Sequence, residues 1–114
     1  MNPYYPVFLN LSGRNCVVVG GGQVALRKVT TLIQHGAGIT VISPRLCKGL
    51  RALHGEGKIL VRHHAYQAGD LEGAYIAIIA TGNRTVNLHA SLEARCNRIP
   101  VNVVDDPEIG RAHV

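Results

Sequence analysis

Between Met1 and Gly55 the chain contains no acidic residue, although six lysines and arginines fall in that stretch. All seven acids lie from Glu56 onward against six further bases, so the first half carries +6 and the second −1. Such an imbalance favours an anionic partner, whether a nucleotide, a polycarboxylate or a nucleic acid. Tryptophan is absent and phenylalanine occurs once, which leaves Tyr4, Tyr5, Phe8, Tyr66 and Tyr75 as the groups able to stack on bases. No helical segment gathers the basic residues into a stripe, and the sequence therefore argues against a nucleic-acid partner. The longest apolar stretches, Cys16 to Val19 and Ala74 to Ala80, fall far short of the roughly 20 residues that cross a bilayer. No membrane partner is expected. The opening Met1-Asn2-Pro3-Tyr4-Tyr5-Pro6 lacks the basic start and apolar core of a secretory signal, so the expected location is cytoplasmic. The three cysteines, Cys16, Cys47 and Cys96, form no Cys-x-x-Cys pair, and no bound metal is expected from them.

What is present is a compact globular composition, 46% hydrophobic and 17% charged over 114 residues. That length closes one core, so residues 1–114 are read as a single domain. From Arg14 onward, short β-branched runs alternate with segments of helical period, the mark of βαβ units and a parallel sheet. The pattern predicts strands at Asn15–Val19, Ile39–Ser43, Ile59–His63, Ala74–Ala80 and Pro100–Val104. Most are apolar on both faces, as strands covered by helices on both sides must be. Ala25, Val29 and Leu32 form the stripe of a first helix, and Gly36 suits the left-handed residue that ends it. A second helix is expected from about Arg45 to His54. A third runs from about Thr85 to Asn97, with Leu88, Leu92 and Cys96 on one face. The fold class is α/β, a Rossmann-type three-layer αβα domain with a five-stranded parallel sheet in order 3-2-1-4-5.

Directly after the first strand comes Gly20-Gly21-Gly22-Gln23-Val24-Ala25, a Gly-x-Gly-x-x-Ala pattern that opens the first helix. Gly20 would allow the tight turn, Gly22 would let the backbone approach a pyrophosphate, and Ala25 would keep the helix close to the sheet. Amides at the helix start, including those of Gln23 and Val24, would face the anion without help from a basic side chain. An NAD site ordinarily carries an acid at the end of the second strand for the ribose hydroxyls. Here that segment reads Val41-Ile42-Ser43-Pro44-Arg45, which assigns the ribose to Ser43 and the backbone near Pro44, with Arg45 close by. NAD and NADP are both compatible with these residues.

Thr81 follows the fourth strand at the expected topological switch point, where it either contacts ligand or makes the turn with Asn83 that caps the next helix. Asp105 and Asp106 follow the fifth strand, and an acid there is a candidate for proton transfer or for holding a metal ion. For Asp106, a turn role before Pro107 is the better reading. His63 and His64 point to opposite faces of an extended chain and are read as solvated or packed. Arg27 and Lys28 are read as surface residues of the first helix, with a partial role in attracting the anionic ligand as the alternative.

Taken together, Tyr5-Pro6-Val7-Phe8-Leu9, Val19-Gly20-Gly21-Gly22-Gln23-Val24-Ala25 with Arg27-Lys28, Ala80-Thr81 and Asn102-Val103-Val104-Asp105-Asp106-Pro107 resemble the N-terminal part of the siroheme synthase family. The resemblance covers nearly the whole chain. It implies a precorrin-2 dehydrogenase that uses NAD+ to oxidise precorrin-2, a tetrapyrrole, to sirohydrochlorin, with ferrous iron insertion in many members. It also implies that Asp105 is the catalytic acid and that Gln23, Val24, Pro44 and Arg45 contact NAD. Family members continue past Asp-Asp-Pro into an apolar strand, a dimerisation region and a small helical domain. This chain instead ends on Glu108 to Val114, and the expectation is an NAD-binding portion whose homodimer contact lies in regions beyond it. The rival reading is a non-catalytic module that senses a nucleotide.

Overall fold

The computed structural model describes residues 10–104. Asp105, Asp106 and the first nine residues lie outside that range. Eight elements follow one another: β1 (Asn15–Val19), α1 (Gln23–Gln34), β2 (Gly38–Ile42), α2 (Lys48–Gly55), β3 (Leu60–Arg62), β4 (Ile76–Ile79), α3 (Arg84–Cys96) and β5 (Val101–Val103). The strands form one sheet in the order β3-β2-β1-β4-β5, and every neighbouring pair runs parallel. This is the predicted architecture.

The double-sided apolarity of the strands sorts into two cores. On one face Cys16, Val18, Ile39, Val41 and Ile78 pack with Ala25, Val29 and Leu32 of α1 and Leu50 of α2. On the other, Val17, Val19, Ile42, Ala77 and Ile79 meet Ala90 and Ala94 of α3 and Leu71 of the crossover between β3 and β4. Helix α1 ends where expected: Gly36 takes φ +76°, and its amide donates to the Ile33 carbonyl oxygen at 3.0 Å.

Two expectations are corrected. The second helix starts at Lys48 rather than near Arg45, because the segment before it is bonded elsewhere. The Ser43 hydroxyl donates to the Arg45 carbonyl oxygen at 2.6 Å, and the Cys47 amide donates to that of Gly21 at 2.7 Å. Those bonds hold residues 43–47 as a loop laid against the glycine turn. The second correction concerns α3, where Leu88, Leu92 and Cys96 share a face that points to solvent, leaving the two leucines 58% and 47% exposed. The stripe that meets the sheet is Val86, Ala90 and Ala94, and polar anchors set its rotation. Asn83 accepts from the Val86 amide at 3.0 Å, and the Asn87 side-chain amide donates to the Thr81 carbonyl oxygen at 3.1 Å. Both asparagines lie at helical spacing with the alanines. The small side chains then let the helix approach closely.

Candidate functional site: a cleft over the glycine loop

The carboxyl ends of β1 and β4 are neighbours in the sheet, yet their chains leave toward opposite faces, which opens a crevice between them. A cleft of about 660 Å³ occupies that position, lined among others by Gly20, Gly22, Gln23, Val24, Ser43, Pro44 and Thr81. Of the sequence-predicted cofactor residues, Arg45 alone does not line it; the residue is exposed beside the mouth.

The three glycines divide the work. Gly20 has φ +134°, and a Cβ there would overlap the Ala80 carbonyl oxygen. Its amide donates to the Ile42 carbonyl oxygen at 3.0 Å, tying the turn to β2. At Gly21 a Cβ would overlap the Arg45 carbonyl oxygen and press on the Ser43 hydroxyl. Around Gly22 an added Cβ would meet nothing within 4 Å. That open side adjoins the start of α1, which has no side-chain cap and no acid in its first turn. The uncapped amides at the positive end of the helix dipole fit an anion there, and the absent side chain clears its approach. A pyrophosphate is the group such a cradle suits.

Gly21 was not singled out by sequence, because the Gly-x-Gly-x-x-Ala pattern treats it as a free position. Overpacking ordinarily costs about 1–3 kcal/mol, and here the opposing atom is backbone, so Gly21→Ala is expected to cost at least the top of that range. Thermal unfolding would show it as a lowered Tm. An unshifted Tm would mean that the 43–47 loop can withdraw from the glycine turn without loss.

The polar groups around the cleft are largely engaged with one another. Ser43 also accepts from the Arg45 amide at 3.3 Å, so its hydroxyl shapes the loop as well as facing the cleft. The Thr81 hydroxyl bonds to the Asn87 side-chain oxygen and accepts from the Asn83 amide at 3.1 Å. Thr81 thus makes the turn into α3, and it also lines the cleft. Arg84, in the first turn of α3, adds a cation to the lining that sequence reasoning passed over, since nothing in its local pattern marks it as facing inward.

A second missed feature is the crossover between β3 and β4, which carries Ala65 and Tyr66 into the cleft wall. Tyr66 donates from its hydroxyl to Glu93 of α3. The same carboxylate accepts from the Gly69 and Leu71 amides, each at 3.1 Å. Asp70 closes the turn by accepting from the Gln67 amide at 2.7 Å. Burial, the hydrogen bond to Glu93 and the charges of Glu93 and Asp70 push the Tyr66 phenol well above its ordinary range. It stays protonated and remains a donor.

His63 and His64 diverge as expected. His63 lies against His54 with ring centroids 5.6 Å apart, and His64 lies 3.7 Å from Asp70. All three cysteines are free, and burial pushes the Cys16 thiol up. Among the described residues, no three His, Cys, Asp or Glu side chains gather where they could hold a metal ion.

Fold and cleft together define a Rossmann-type dinucleotide-binding domain. A family model described as NAD(P)-binding matches residues 7–114, and the chain belongs to that family. It is 45% identical over 108 residues to the siroheme synthase of Nitrosospira multiformis and 44% identical over 104 residues to that of Methylobacillus flagellatus. Each match covers 91% of this chain but only 23% and 22% of the respective relative. The chain therefore spans less than a quarter of the length of these relatives. Among solved structures, SirC, a precorrin-2 dehydrogenase, matches with a TM-score of 0.78 at 31% identity, over 87% of this chain and 48% of that one. The apo D-lactate dehydrogenase of Escherichia coli matches with a TM-score of 0.65 at 12% identity, over 87% of this chain and 30% of that one. At that identity the likeness is one of fold.

Proposed function

We propose that this chain is the dinucleotide-binding part of an NAD-dependent precorrin-2 dehydrogenase of siroheme biosynthesis. The observation that carries the proposal is the glycine turn itself, whose Gly22 opens onto uncapped α1 amides inside the cleft. The similarity to siroheme synthases and to SirC supplies the reaction. Precorrin-2 and NAD+ would give sirohydrochlorin, NADH and a proton, with the bound nicotinamide taking the hydride. This chain's own groups would hold the dinucleotide by its pyrophosphate, exclude water from the apolar cleft floor of Val19 and Ile42, and accept the proton. For the last role the proposal names Asp105. Its chain neighbour Val104 lines the cleft, with an amide that donates to the Ile79 carbonyl oxygen at 2.8 Å. The basic first half of the sequence would draw in a polycarboxylate substrate.

The test is turnover in a chain long enough to span its siroheme synthase relatives, with NADH and sirohydrochlorin followed together. Equal amounts of the two are expected. Nucleotide binding without any oxidation of precorrin-2 would instead favour a nucleotide-sensing module.

Cofactor choice has its own test. Arg45 stands exposed beside the ribose end of the cleft, and only NADP+ carries a 2′-phosphate there. Arg45→Glu is expected to weaken NADP+ several-fold more than NAD+, as one charge-assisted contact to phosphate would require. Equal losses measured by calorimetry would show that Arg45 does not sense the ribose.

A further inference from the structure

We infer that the Tyr66 ring is the wall on which the adenine of the bound dinucleotide packs, and that Glu93 is the positioning residue that holds it there. The inference rests on the dinucleotide reading above and adds a residue to it. In a parallel sheet of this topology the pyrophosphate sits at the β1–α1 turn, and the adenosine half extends over the ends of the strands on the β2 side. Those ends are β2, continued by Ser43 and Pro44, and β3, continued through His63 and His64 to Ala65 and Tyr66. All four of Ser43, Pro44, Ala65 and Tyr66 line the cleft. Among the described residues, Tyr66 supplies the only aromatic ring in that lining.

The ring is also fixed in place to a degree that a solvent-facing tyrosine is not. Its body packs against the α3-side core, and its hydroxyl is held by Glu93. Glu93 in turn grips the Gly69 and Leu71 amides, so one carboxylate fastens both the ring and the loop that carries it. The crossover at residues 63–75 contains no helix, and these bonds substitute for the rigidity that a helix would give. A pre-set wall loses little freedom when a base settles on it.

Calorimetry with fragments separates the adenine wall from a general structural role. ADP-ribose carries the adenosine half, and nicotinamide mononucleotide lacks it. Tyr66→Ala is expected to weaken ADP-ribose and NAD+ alike by roughly ten- to a hundred-fold, the range of a lost base–aromatic stack. Nicotinamide mononucleotide should bind as before. Tyr66→Phe keeps the ring and the Glu93 grip on the Gly69 and Leu71 amides but loses the hydroxyl, so it should bind more weakly than the parent protein and more tightly than Tyr66→Ala. Glu93→Ala should lower ADP-ribose affinity, again without touching the mononucleotide. If Tyr66→Ala fails to fold, Tyr66→Leu fills the core beneath the cleft without restoring a flat face, and the same loss is expected.

Unchanged ADP-ribose affinity in a folded Tyr66→Ala or Tyr66→Leu variant overturns the inference while leaving the dinucleotide site standing. Parallel losses of both fragments overturn it too, since they mark a structural effect. Failure of the parent chain to bind any of the three nucleotides overturns the dinucleotide reading and this one with it.

Discussion

Gly22→Asp is expected to abolish NAD+ binding without unfolding the chain. The two halves of that expectation come from different observations. Stability should hold because a Cβ at Gly22 meets nothing within 4 Å. Binding should fail because the new carboxylate would stand at the uncapped start of α1, where it would occupy the amides itself and repel the pyrophosphate. Gly22→Ala is the control: it adds bulk without charge and should weaken binding far less. A folded Gly22→Asp variant with parent affinity would remove the glycine loop from the site.

The second large effect concerns chemistry. Asp105→Ala should lower precorrin-2 oxidation by about 10²–10⁴-fold, as the loss of a general base does, while NAD+ affinity stays nearly unchanged. Asp106→Ala should do much less. The two acids are adjacent and formally equal in charge, so a diffuse electrostatic role would make them interchangeable, whereas a positional role would not. The comparison belongs in a chain that spans the relatives' length, with kcat and NAD+ affinity measured for each variant. Comparable losses at both positions, or a loss at Asp105 explained by weaker NAD+ binding, would contradict the assignment.

Where the fold was legible in the sequence, a strong local signal agreed with the tertiary demand. Val17-Val18-Val19 and Ile76-Ala77-Ile78-Ile79 can only be strands buried on both faces, and the order of turns and helices between them leaves a parallel sheet as the solution. The glycine turn was equally legible, because strand, loop and helix were in register. Misreadings arose where hydrogen bonds between distant residues decided the outcome. Nothing local says that the Cys47 amide will bond to Gly21 and delay α2. Periodicity alone favoured Leu88 and Leu92 as the buried face of α3, but Asn83, Asn87 and Glu93 turn the alanine stripe inward instead. The Tyr66–Glu93 contact joins residues 27 positions apart, beyond the reach of any spacing argument. The same holds for Gly21, whose need for a missing side chain comes from the carbonyl of Arg45 across the loop.

The cleft over Gly20-Gly21-Gly22 is proposed to hold a nicotinamide dinucleotide by its pyrophosphate. Isothermal titration of the 114-residue chain with NAD+ tests it most directly, with Gly22→Asp titrated in parallel. Saturable binding of one dinucleotide per chain, lost in the variant at an unchanged Tm, is the predicted result. No heat of binding to the folded parent chain, or binding that survives in Gly22→Asp, would contradict it.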